Sequence, residues 1–157
     1  MPPKKQRVPV VVDTNVFLRA FRARDGRNPN KRVVRLWLQE RKLQLVVSPS
    51  VIQEYVGVFE RVVGLGTSEL AEWRARFERD NRCTVVGETG WRAGSRDPAD
   101  NVFVATARTG KARFLVTNDL DLLHLPAEVH RGLRLAIVTP RRFLAQPGLP
   151  WRLPLPV

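Results

Sequence analysis

Val8-Pro9-Val10-Val11-Val12 is an almost unbroken, mostly β-branched apolar run that stops abruptly at Asp13. A strand with no apolar–polar alternation has to be covered on both faces, a condition met in a parallel sheet sandwiched between helices. The other apolar runs fit the same scheme. Leu43–Val47, Cys83–Val86, Phe114–Thr117 and Leu135–Val138 read as further strands, separated by stretches of helical spacing. Connections of that length exclude hairpins and predict a three-layer α/β/α sandwich around a central, mainly parallel sheet.

Caps and periodicity mark the helices. Val16, Phe17, Leu18 and Phe21 follow Thr14 or Asn15 as a cap, and Asn30 caps a second helix carrying Val33, Val34, Trp37 and Leu38. Ser50 opens a third, with Ile52, Tyr55, Val56 and Phe59 on one side and Gly64 and Gly66 closing it; Thr67 caps a fourth, bearing Leu70, Trp73 and Phe77. Asp97-Pro98-Ala99-Asp100 has the form of a helix start, with a capping acid and proline in the first position, and that helix runs to about Arg108 before Gly110. Asp119 to Leu123 begins a turn or short helix, with Asp121 as its cap, and Thr139-Pro140 opens a final helix.

The length of 157 residues suits one domain, read as residues 1–145, followed by a tail over 146–157 that holds four prolines and Trp151. Lys and Arg number 27 against 15 acids, a formal charge of +12 that favours a polyanionic partner, because each neutralised phosphate releases counterions. The single cysteine, Cys83, excludes an intrachain disulfide framework and a zinc cluster, and fits a reducing compartment. Lys4-Lys5-Gln6-Arg7 resembles a charged leader, but the apolar run after it is too short for a signal core, and no stretch approaches the roughly 20 apolar residues of a membrane span. A soluble, cytoplasmic protein with no membrane partner is the expectation.

In a parallel sheet, ligands bind beyond the carboxyl ends of the strands. Asp13 ends the first strand, Glu54 lies early in the helix after the second, Asp97 and Asp100 open the helix after the third, and Asp119 ends the fourth. Separate segments thus bring acid to one rim. Carboxylates gathered in one cleft either share protons or hold a cation, and oxygen-only ligands select a hard ion, Mg2+ or Mn2+. In a basic protein such an ion points to metal-assisted phosphodiester hydrolysis. Each acid also has an ordinary use: Asp97 as a helix cap, Asp100 as an acid favoured by the helix dipole, Glu54 as a solvated helix residue. Asn15 and Thr117 could position an acid or a phosphate, and equally are common caps and strand ends. His124 and His130 look peripheral.

The ordered set Val11-Val12-Asp13-Thr14-Asn15, Ser48-Pro49-Ser50-Val51-Ile52-Gln53-Glu54, Asp97-Pro98-Ala99-Asp100-Asn101 and Phe114-Leu115-Val116-Thr117-Asn118-Asp119-Leu120-Asp121-Leu122-Leu123 resembles the PIN-domain ribonucleases. The likeness is to the toxin components of bacterial toxin–antitoxin pairs in particular. It implies a Mg2+- or Mn2+-dependent nuclease acting on single-stranded RNA, restrained by a cognate antitoxin and able to form a homodimer. Carried over by position, Asp13, Glu54, Asp100 and Asp119 are the catalytic acids, with Asp13, Asp100 and Asp119 holding the metal. Asn15, Thr117 and Asp97 fall at supporting polar positions. Where relatives often have Thr-Gly-Asp this chain has Asn118, so the loop carrying Asp119 is expected to differ in shape.

Two other readings stay open on sequence. An aspartyl-phosphate phosphatase also places Asp after its first strand, though Asn15 stands where such enzymes have a second Asp. A non-catalytic RNA- or antitoxin-binding module would keep the fold without the chemistry. A dinucleotide-binding enzyme is disfavoured, since no Gly-x-Gly-x-x-Gly follows the first strand.

Overall fold

Five strands form one all-parallel sheet: β1 (Val8–Val12), β2 (Leu43–Val47), β3 (Cys83–Val85), β4 (Phe114–Val116) and β5 (Ala136–Val138), in the order β3-β2-β1-β4-β5. The computed structural model describes residues 7–87, 89–91, 96–149 and 151. The start of the chain, part of the expected loop between Gly87 and Arg96, and most of the tail beyond Pro150 lie outside the described residues.

β1 is central because its sequence demands it. Val10, Val11 and Val12 are almost completely buried, with β2 paired to one edge and β4 to the other. Helices cover both faces. α1 (Thr14–Arg22), α2 (Pro29–Leu38), α3 (Pro49–Val58) and α4 (Thr67–Arg79) follow β1 and β2, while α5 (Val102–Thr109) packs on β1, β2 and β4. After β4 come the short α6 (Leu120–Leu123) and α7 (Ala127–Leu133), and after β5 comes α8 (Pro140–Leu144), which packs on β4, β5 and α2.

One aromatic cluster fixes the first four helices. Phe17 of α1 meets Trp37 of α2, Tyr55 of α3, Phe59 just after α3, and Phe77 of α4 with ring centroids 4.9–6.0 Å apart, edge to face. Such pairs add roughly 0.5–1.5 kcal/mol each beyond the area they bury. The result is that α1, whose first residue follows Asp13, cannot tilt without breaking the cluster.

Several helix starts differ from the sequence reading, and the reason is shared. α2 is capped by Asn28, whose side chain accepts from the backbone of Asn30 and Lys31, and α3 by Ser48, which accepts from Val51. In each, proline occupies the first helical position, where its missing N–H costs nothing, so the cap stands before the proline and not after it. Asn30 is therefore buried inside α2. Gly66, not Thr67, occupies the cap position of α4, and α3 ends in a π-helical turn, Phe59–Val63, closed by Gly64 at φ 78°.

The acid stretch expected to start a helix at Pro98 forms a single 3-10 turn, Pro98–Asp100. Asn101 then caps α5 by accepting from the Phe103 N–H at 2.7 Å, and this resets the helix start to Val102. α7 had no counterpart in the sequence reading; its seven residues bury none of their side chains fully, so no apolar stripe announces it. At the end, Trp151 is buried with its ring 5.0 Å from that of Phe143.

Candidate active site

A parallel sheet puts every strand's carboxyl end on one edge. Here the chain steps from β1 outward to β2 and β3, then crosses back to β4 and β5, so the direction of winding reverses between β1 and β4. The crevice at such a reversal is where open α/β sheets bind ligands.

The β1–β4 register pairs Val12 with Val116, which sets the next residues, Asp13 and Thr117, side by side. The Asp13 N–H donates to the Val116 carbonyl at 2.9 Å. Asp13 stands at the cap position of α1, yet its side chain makes no capping bond. The carboxylate turns to β4 instead: Thr117 Oγ1 donates to Asp13 Oδ2 at 2.7 Å and accepts the backbone N–H of Asp119 at 2.9 Å. One buried hydroxyl thus ties two acids from strands far apart in sequence.

Amides complete the frame. Asn15 Nδ2 donates to Asp13 Oδ2 at 3.3 Å, while Asn15 Oδ1 accepts from both the backbone N–H and Nδ2 of Asn118, each at 3.2 Å. Asn118 Nδ2 also donates to Oδ1 of buried Asn30 at 2.8 Å. Asn118 keeps an ordinary negative φ, so this loop does not use the left-handed backbone that glycine would permit. Its side chain replaces that freedom with fixed bonds to α1 and α2. From below, the hydroxyl of fully buried Tyr55 donates to the carbonyl of Val12.

Asp13 is 7% exposed. Burial raises its carboxyl above the ordinary range, the nearby charge of Asp119 adds to the rise, and the Thr117 hydrogen bond opposes both. Such a carboxylate gains from any cation placed beside it.

Beside this pair opens a cleft of about 340 Å³ whose walls include Glu54, Asp97, Asp100, Asp119 and Asp121. Asp13 is not on the wall and connects to the cleft through Thr117 and Asp119. Glu54 comes from the second turn of α3, Asp97 and Asp100 from the segment before α5, and Asp119 and Asp121 from the start of α6. Among the described residues Arg96 is the one basic side chain on these walls, and Trp91 contributes an aromatic face. Of the four expected acids, Glu54, Asp100 and Asp119 thus share the cleft wall, while Asp13 is buried behind it and reaches Asp119 through Thr117.

Two differences from the sequence reading stand out. Asp119, not Asp121, caps α6, accepting from the Asp121 N–H at 2.9 Å, so Asp121 faces the cleft. Asn118, noted from the sequence only as a departure in the loop, Asn30, read as a helix cap, and Tyr55 turn out to be parts of the frame, roles that depend on contacts between elements. The Asp119-x-Asp121 spacing was the available signal for the first of these.

The donor set consists entirely of carboxylate oxygens, which suits a hard divalent cation. Among the described residues, no three Asp, Glu, His or Cys side chains are gathered closely enough to hold an ion as they stand. Asp13 and Asp119 are close enough for their charges to act on each other, and a third oxygen would have to come from another acid such as Asp100 or Glu54. Among the described residues no helix is long and apolar enough to cross a membrane.

A comparison with curated proteins gave no match. The profile of the PIN domain family matches residues 9–121, a span that runs from β1 to Asp121 and takes in every acid described above, and the chain belongs to this family of nucleases.

Proposed function

We propose that this chain is a Mg2+- or Mn2+-dependent endoribonuclease that hydrolyses phosphodiester bonds of single-stranded RNA. The observation that carries this reading is the Asp13–Thr117–Asp119 link at the sheet's reversal point, opening on a cleft walled by further carboxylates. Asp13, Asp100 and Asp119 would hold the ion, and Glu54 would complete the set or orient the attacking water. When bound, the ion supplies charge neutralisation for the phosphate and acidifies a water molecule.

The chain's own groups do the rest. Thr117 holds the Asp13 carboxylate in one orientation, and the Asn15–Asn118–Asn30 chain fixes the loop that carries Asp119. Arg96 offers a guanidinium to a phosphate inside the acidic cleft, and the charge of +12 draws the polyanion to the surface. Glu54 Oε1 or Oε2 can accept a proton from water.

The toxin role, with a cognate antitoxin as partner and self-association as a further possibility of the surface, is the finer part of the reading. Its support is the motif resemblance together with an apolar groove of about 220 Å³ between α1, α2 and α4, where Phe17, Ala20, Phe21, Val34 and Trp73 line the floor. Phe21 is 40% exposed there, the kind of surface a protein partner covers. We read residues 1–145 as the working domain, and in the segment after it Trp151 packs against Phe143. A cytoplasmic location agrees with a single cysteine, Cys83, that is buried and in no disulfide.

The deciding experiment pairs RNA cleavage with thermal melting. The wild type should cleave a single-stranded oligoribonucleotide with Mg2+ or Mn2+ and not with a chelator, and millimolar metal should raise its Tm by a few degrees. Asp13→Asn, folded by circular dichroism, should lose cleavage and most of the metal-induced shift. Undiminished cleavage in that variant would remove the metal role.

A further inference from the structure

The chain has four tryptophans. Trp37 and Trp73 belong to the aromatic cluster, and Trp151 packs on Phe143. Trp91 stands apart. It takes no part in the apolar core and meets no aromatic ring among the described residues. Its half-buried indole instead forms a wall common to two hollows. One is the carboxylate cleft. The other, of about 300 Å³, is lined by small and hydroxyl-bearing residues, among them Ser48, Ser50, Gly87, Thr89 and Gly90. The Trp91 backbone N–H donates to Thr89 Oγ1 at 3.3 Å, closing a turn of the main chain from which the indole projects.

The placement gives the cleft a contact of a different kind. Among the described residues its walls carry Glu54, Asp97, Asp100, Asp119 and Asp121 beside Arg96, groups suited to a cation and a phosphate and not to the face of a base. Recognition of the base itself calls for a contact that does not depend on charge. An aromatic face supplies one, because every nucleobase has a π surface and stacking is indifferent to the phosphate.

We propose that Trp91 is the stacking platform for one unpaired nucleobase adjoining the scissile phosphate, with the hydroxyl-lined hollow receiving the sugar and backbone of the neighbouring nucleotide. The inference rests on the nuclease reading above and adds to it a subsite and a reason for preferring single strands. A base inside a duplex is stacked on both faces and cannot lie on the indole.

The test uses the full chain and an oligoribonucleotide in which a single abasic residue is walked along both sides of the cleavage point. Wild type should lose about 10-fold or more in kcat/KM at one position and little elsewhere. Trp91→Ala should lose about 10- to 100-fold on the intact strand and become indifferent to the abasic position, while Trp91→Phe keeps most activity. Intact cleavage in Trp91→Ala, or an abasic scan with no sensitive position, overturns the platform and leaves the nuclease reading standing. Fluorescence provides a readout free of catalysis. Asp13→Asn should show quenching by the single strand and not by a duplex of the same sequence, and adding Trp91→Phe should abolish it. If the wild type cleaves nothing, the nuclease reading falls; selective quenching then still supports the platform, and its absence overturns that too.

Discussion

Thr117 donates its hydroxyl to Oδ2 of Asp13 at 2.7 Å across 104 residues of sequence. Because Thr117 Oγ1 also accepts the Asp119 N–H at 2.9 Å, it sets the relative position of the two acids. Thr117→Val keeps the shape and removes both bonds. Cleavage should fall about 10- to 100-fold, and Tm by roughly 3–8 °C for a lost hydrogen bond to a charged group. Thr117→Ser should retain most of both. Steady-state cleavage and melting of the two variants check this, and equal behaviour of Val and Ser would remove the hydroxyl's role.

Asn118 is expected to matter through its side chain. Asn118→Ala strips the Nδ2 contacts to Asn15 and Asn30 and leaves the Oδ1 of buried Asn30 without that donor. A buried acceptor left unsatisfied costs about 1–3 kcal/mol. The variant should melt several degrees lower and cleave at least a few-fold more slowly at a temperature where it is fully folded. Glycine here should behave no better than alanine, since the backbone conformation does not call for it.

Gly110 lets α5 approach the sheet. A Cβ at this position would overlap Cγ1 of Val46 and lie 3.0 Å from Cγ1 of Val86. Its φ is −89°, so the constraint is space and not backbone conformation. Gly110→Ala should cost about 1–3 kcal/mol by overpacking, read as a lower denaturation midpoint. Combining it with Val46→Ala should recover part of the loss.

Asp80 gives a prediction in pH. The Arg82 guanidinium holds its carboxyl down to about 2, from an ordinary 3.8. A group whose folded pKa is depressed stabilises fully above its unfolded value and loses that contribution as pH falls through the folded one. The pair is partly exposed, so its worth is about 1 kcal/mol or less. Asp80→Asn should therefore lower Tm by about 2–4 °C at neutral pH. The gap to wild type should close as pH drops from 3.8 to about 2. A gap independent of pH would show that shape, not charge, is responsible.

Much of the fold was legible because single residues dictated it. The unbroken valines of β1 required a two-sided burial, and the alternation of strands with helical spacing required parallel pairing. The place of Glu54, Asp100 and Asp119 on a cleft beyond the strand ends followed from that topology, whereas the burial of Asp13 behind Thr117 did not. What stayed hidden depended on competition between neighbours. Proline moved two caps upstream, to Asn28 and Ser48, and Asn101 outcompeted Asp97 for the start of α5. The bonds of Asn118 to Asn15 and Asn30 unite three segments that no local pattern connects.

The lateral order of the strands also has a temporal meaning. β1 and β2 are synthesised early, but the residue that gives Asp13 its hydroxyl follows β4 and cannot arrive until the intervening residues have been made. Contacts between segments so distant in sequence are slow to close. A chain cut short before Thr117 would carry Asp13 without its hydroxyl partner and without Asp119, so the linked pair of acids exists only once the segment beyond β4 has been added.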